Sequence, residues 1–130
     1  MIDDLYQETI LEEYAHPKNK GTLTNADFQQ SESNSSCGDQ VTVYLQLDPL
    51  NHLITEVRWE GVGCAISMAL ASFLSEEIKG KTLPQLAAYT IEDLKVMIGL
   101  DQISPGREKC LSLALVAFQK AISANQDQTA

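Results

Sequence analysis

The run Val41-Thr42-Val43-Tyr44-Leu45-Gln46-Leu47, the turn Asp48-Pro49-Leu50-Asn51 and the return run from Leu53 to Trp59 decide the fold. In the first run Val41, Val43, Leu45 and Leu47 alternate with Thr42, Tyr44 and Gln46. In the second, Leu53, Thr55, Val57 and Trp59 alternate with polar or charged residues. A period of two on both sides of a proline-containing turn predicts an antiparallel hairpin with one buried face.

Beyond Gly61 and Gly63 the period changes. Ala65 to Lys79 is dense in Ala, Leu, Met and Ile, and Gly80 is placed to terminate it. So few polar residues predict a largely buried central helix. Thr82-Leu83-Pro84 and Thr90-Ile91-Glu92-Asp93 read as the starts of two short helices. Ser104-Pro105 restarts the chain toward a last helix, in which Leu111, Leu113, Leu115, Val116, Phe118 and Ile122 supply the apolar surface. Upstream of the hairpin, Asp3 or Asp4 can cap a first helix with Leu5, Tyr6, Ile10 and Tyr14 near one face, ending near His16 before Pro17. Residues 21–36, rich in Thr, Asn, Gln and Ser, read as a loop or edge strand. Strands followed by helices predict an α+β fold, with a small antiparallel β-sheet packed against several α-helices. The 130 residues, 44% of them hydrophobic, are expected to form a single domain, with a polar tail from about Asn125.

The net charge of −9 disfavours a nucleic-acid partner, because phosphate backbones would be repelled. No basic apolar leader opens the chain and no segment approaches spanning length, so no membrane partner and a cytoplasmic location are expected. Three cysteines are an odd number for a disulfide framework, which shifts weight to metal ligation or thiol chemistry. Each falls where secondary structure changes: Cys37 before the hairpin, Cys64 at the start of the central helix, Cys110 near the start of the last. A helix N-terminus favours thiolate at Cys64, Gly61 and Gly63 remove side chains that would shield its sulfur, and Arg107 and Lys109 set positive charge beside Cys110. A single free cysteine is most often a buried small hydrophobe. The contexts Cys37-Gly38-Asp39, Gly61-Val62-Gly63-Cys64 and Arg107-Glu108-Lys109-Cys110 do not resemble apolar packing sites, and together they favour a shared site. Asp39, two positions from Cys37, can turn a carboxylate toward the same ion, so that three thiolates and one carboxylate complete a tetrahedron. There is no C-x-x-C pair, and the wide cysteine spacing matches no zinc finger. His16, at a helix C-terminus, and His52, in a polar turn, are expected to be solvated.

With these motifs assembled, the chain resembles the U-type iron–sulfur scaffold family (IscU/SufU/NifU N-terminal-like) over nearly its whole length. Tyr14-Ala15-His16-Pro17-Lys18-Asn19-Lys20-Gly21 looks like that family's helix exit, and Ile78-Lys79-Gly80-Lys81 like the end of its central helix. The resemblance implies a site of Cys37, Asp39, Cys64 and Cys110 holding a zinc ion or an iron–sulfur cluster. It also implies a cysteine desulfurase that delivers persulfide sulfur, with downstream cluster carriers or apo-proteins as recipients, and Cys64 or Cys110 as the sulfur acceptor. Lys109 stands where the cluster-scaffold branch carries a histidine, and Ser104-Pro105-Gly106-Arg107 where that branch carries a chaperone motif. Ser67-Met68 and the Arg-x-Lys-Cys approach look more like the SufU branch of zinc-bound sulfur acceptors, although that branch carries an insertion absent here. The alternatives are a cluster scaffold with no zinc role and, from another class, a structural zinc-binding module.

Overall fold

Alternation builds the hairpin as expected, with one change of phase. In the computed structural model, which describes residues 2–34, 38–97 and 112–123, strand β2 (Asp39–Leu47) pairs antiparallel with β3 (Ile54–Val62). Asp48 closes the turn by accepting the Leu50 and Asn51 amides at 2.7 and 3.2 Å. Gln46 faces Glu56 and Leu47 faces Ile54, so Thr55 is an extra residue bulged out of the ladder. The bulge turns Ile54, Val57 and Trp59 inward. The expected inward set of Leu53, Thr55, Val57 and Trp59 is therefore corrected at its first two members. An alternation counted from sequence does not show where one residue will be skipped.

The polar stretch before the hairpin contains an edge strand, β1 (Phe28–Asn34), antiparallel to β2 and giving the order β1-β2-β3. Polar side chains suit an edge, since they discourage pairing with another chain. On the other side of the sheet, Asn19 and Gly21 pair through their backbones with Trp59.

Helix α2 (Ala65–Glu77) crosses the inner face of the sheet and ends as predicted. Gly80 takes φ +82° and donates its amide to Ile54 O at 2.7 Å, joining the helix exit to the head of β3. Helix α3 (Leu83–Ala87) begins with a complete Thr82/Gln85 capping box, and α4 (Ile91–Met97) follows. Helix α5, residues 112–123, buries Leu113, Leu115, Phe118 and Ile122 against the same core as Trp59, Leu45 and Leu70. Gln119 caps the exit of α3 by donating to Tyr89 O at 2.9 Å. The predicted restart at Ser104-Pro105, Leu111 and the tail from Asn125 lie outside the described residues.

Helix α1 (Ile2–Ala15) corrects a second expectation. Ile10 is buried, but Tyr14 is 47% exposed, and the residue one turn from Ile10 that goes inside is Glu13. A buried carboxylate needs partners. Glu13 accepts from Ser72 Oγ at 2.6 Å and from Lys18 Nζ at 2.8 Å, while Ser72 Oγ accepts the Lys18 amide at 2.7 Å. Lys18 O in turn accepts Trp59 Nε1 at 2.8 Å, and Asn19, at φ +63°, bonds Ser75 and Lys79. The exit segment of α1 is thus a polar staple holding α1, α2 and β3 together. Glu13→Ala should lower stability by about 1–3 kcal/mol, because it strips a buried acceptor from Ser72 and Lys18. Urea unfolding should show the lower midpoint, and Leu11→Ala, at a surface position, should move it by less than about 0.5 kcal/mol.

Candidate functional site

Two element ends meet at the site, the head of β2 and the first turn of α2. Asp39 opens β2 opposite Asn34, after Gly38 at φ +71° has donated its amide to Asn34 O at 2.9 Å. Cys64 is the N-cap of α2, with extended φ −71° and ψ 161°, and its own side chain caps nothing. Asp39 supplies the missing cap from the neighbouring strand. Its Oδ1 accepts the Cys64 amide at 2.9 Å, and its Oδ2 accepts Ser67 Oγ at 2.6 Å. The carboxylate is 1% exposed and sits at the positive end of the helix dipole, which favours its charge. Cys64 Sγ, half-buried, lies 3.5 Å from Asp39 Oδ2 and 3.5 Å from Ser67 Oγ.

The two glycines act differently from expectation. A Cβ at Gly63 would stand 2.7 Å from Asp39 Cγ, and Gly63 has φ +152°, a region other residues rarely enter. A Cβ at Gly61 would run into the Gln40 backbone across the β2–β3 ladder. They make room for the carboxylate and for the strand pairing, rather than only baring the sulfur. Val62 and Gly63 are exposed beside Cys64, which is itself partly buried and packs against the edge of the core.

Of the four residues expected to ligate, Asp39 and Cys64 are brought together, while Cys37 and Cys110, with Arg107 and Lys109, lie outside the described residues. Among the described residues no group of three His, Cys, Asp or Glu side chains converges. His16 and His52 are exposed, as expected. Ser67 was not singled out as a site residue, although it stands three positions after the N-cap in an otherwise apolar first turn.

The donor pair fits a metal ion. Bond lengths of about 2.3 Å to sulfur and about 2.0 Å to oxygen in a tetrahedron set a sulfur–oxygen edge of about 3.5 Å, the separation that Cys64 and Asp39 show. Ser67 does not fit as a further ligand, because two oxygens on one tetrahedral ion would stand about 3.3 Å apart rather than 2.6 Å.

Residues 5–130 match the protein family described as NifU-like N terminal domain. The zinc-dependent sulfurtransferase SufU of Bacillus subtilis is 29% identical, over 94% of this chain and 92% of its own length. The iron–sulfur cluster assembly scaffold protein IscU of Thermotoga maritima is 31% identical, over 91% of this chain and 92% of its own. A crystal structure described as an iron–sulfur cluster assembly scaffold protein for the SUF system, from Fervidobacterium islandicum, superposes with a TM-score of 0.75 at 29% identity, covering 92% of this chain and 97% of that one.

Gly63→Ala should push the Asp39 carboxylate off the Cys64 amide, lowering stability by about 1–3 kcal/mol and weakening any metal held there. Gly38→Ala, where a Cβ would meet nothing, should carry only the left-handed backbone cost of about 1–2 kcal/mol. Urea unfolding paired with zinc titration separates the two, since only Gly63→Ala should change zinc affinity more than tenfold.

Proposed function

Because the chain belongs to the NifU-like N-terminal domain family, we propose that it serves iron–sulfur cluster assembly by accepting persulfide sulfur from a cysteine desulfurase, with Cys37, Asp39, Cys64 and Cys110 holding zinc. The observation that carries this reading is a buried carboxylate turned onto a cysteine sulfur at a helix N-terminus, at the spacing of two ligands on one ion. Cys37 is joined by one peptide to Gly38, the residue before Asp39. Cys110 lies two positions before Ser112, at which the described part of α5 begins. Zinc bound there would keep the cysteine thiolates deprotonated and ordered near neutral pH.

The protein's own chemistry is the sulfur transfer. The thiolate of Cys110 or Cys64 attacks the outer sulfur of the desulfurase persulfide. A new S–S bond forms on this chain, the old one breaks, and the desulfurase cysteine leaves as thiolate, with no net oxidation. The sulfur then passes to downstream cluster carriers or apo-proteins. Among the described residues no helix is long and apolar enough to cross a membrane, and we place this exchange in the cytoplasm.

A second reading, a scaffold on which iron and sulfide are gathered as cargo, draws support from the IscU name of the Thermotoga relative and from Asp39 itself. A hard oxygen donor in a set of thiolates makes a bound cluster easier to release. Mixing the protein with a desulfurase, cysteine and reductant separates the readings. Zinc-loaded protein should accelerate alanine production, chelation should remove the gain, and Cys110→Ser should abolish it. Unchanged turnover, with a coloured cluster assembled and handed to an apo-ferredoxin, would establish the scaffold instead. A structural zinc module predicts loss of helical circular dichroism on chelation, whereas an exchangeable site should keep its spectrum.

A further inference from the structure

Ser67 is the polar side chain of the site that sulfur transfer does not consume. It is buried in the first turn of α2, among Ile66, Met68, Ala69 and Leu70, where an unbonded hydroxyl would be costly. Its hydroxyl donates to Asp39 Oδ2 at 2.6 Å, the short length of a bond to a charged acceptor. That oxygen is the one lying 3.5 Å from Cys64 Sγ, while the other, Oδ1, is committed to the Cys64 amide. Oδ2 also receives the Cys64 thiol at 3.5 Å, so the Ser67 hydroxyl is the shorter of these two donors on the oxygen that faces the sulfur, while the Cys64 amide holds the other oxygen. An ionised carboxylate oxygen has more than one acceptor direction, so the Ser67 bond on Oδ2 leaves room for an ion on the thiol side.

We propose that Ser67 is a positioning residue for metal capture, holding Asp39 Oδ2 beside Cys64 Sγ at ligand spacing before an ion arrives. This rests on the zinc-site reading above. The strand end that carries Asp39 follows Gly38, a residue of wide backbone freedom, and the Ser67 hydroxyl, at 2.6 Å, is the short donor on the carboxylate oxygen that faces the sulfur. The Ser67 bond restrains rotation of the carboxylate about Oδ1. Partners of metal-bound carboxylates commonly change affinity in this way, by about 10- to 100-fold.

The test is a double-mutant cycle on zinc affinity, measured by competition with a chromogenic chelator, for the full chain and for Ser67→Ala, Asp39→Ala and the double variant. Alanine is a better helix former than serine, so α2 should persist, and circular dichroism checks it. Ser67→Ala is expected to weaken zinc by about 10- to 100-fold in the parent and by less than about 2-fold once Asp39 is gone. Cobalt in place of zinc should give ligand-field bands that shift in Ser67→Ala but coincide in Asp39→Ala and the double variant. Equal losses in both backgrounds would overturn the inference, since Ser67 would then act other than through Asp39. An unaltered Ser67→Ala beside a weakened Asp39→Ala would overturn it while sparing the zinc site. If neither Asp39→Ala nor Cys64→Ser alters zinc affinity, the site reading falls and this inference with it.

Discussion

A carboxylate that is 1% exposed must be answered by donors, and at Asp39 those donors belong to the first turn of α2. The strand order alone would let α2 slide along the sheet, because apolar packing is non-directional. The bonds from the Cys64 amide and the Ser67 hydroxyl set its register. Leaving a buried acceptor unsatisfied costs about 1–3 kcal/mol, more for a charged group, so a slipped helix would meet a penalty out of proportion to the atoms involved. The same demand accounts for Gly63, since no other residue leaves the carboxylate room to reach the helix. Fold and candidate site are therefore one constraint seen twice.

At its other end α2 is held by a second polar group of the same kind. Glu13, Lys18, Ser72, Ser75 and Asn19 form a chain of bonds that ends on the indole of Trp59. The exposed ion pairs of the surface, such as Lys79 with Glu76 at 3.7 Å, are minor beside it, because solvent screens them. Between the two polar anchors lies the apolar mass of α2, from Met68 to Leu74, against Val43, Leu45 and Trp59. Burial supplies most of the stabilisation, and the anchors decide which of several similar packings is adopted.

Much of this was legible in the residues. Alternation over Val41, Val43 and Leu45, the density of Ala and Leu after Cys64, and Gly80 each have one dominant physical reading, and the structure follows them, although Tyr44 on the opposite face of the strand is buried as well. What escaped reading depended on contacts distant in sequence. Thr55 is bulged by the geometry of its ladder, and Glu13 replaces Tyr14 inside because Ser72, 59 residues away, is there to receive it. Glycine at 63 was readable as conformational freedom, but its partner, Asp39, was not. Asp39 and Cys64 were paired as ligands from their contexts and by resemblance, whereas the capping bond that joins them could not be inferred before β2 and α2 were placed together.

The capping bond also bears on how a metal could come and go. In a zinc module whose fold depends on the ion, the ligands have no other partners and the core is too small to stand without it. Here the candidate carboxylate already has donors within the chain, and Trp59, Phe118, Leu45 and Leu70 form a core that owes nothing to a ligand. Binding then requires little ordering of Asp39, which favours capture, and release leaves it satisfied, which removes the penalty for letting go. A site of that kind is suited to exchange rather than to permanent retention. That is the property both sulfur transfer and cluster hand-off demand, and it follows from hydrogen bonds of Asp39 to its own chain rather than from the identity of the ion.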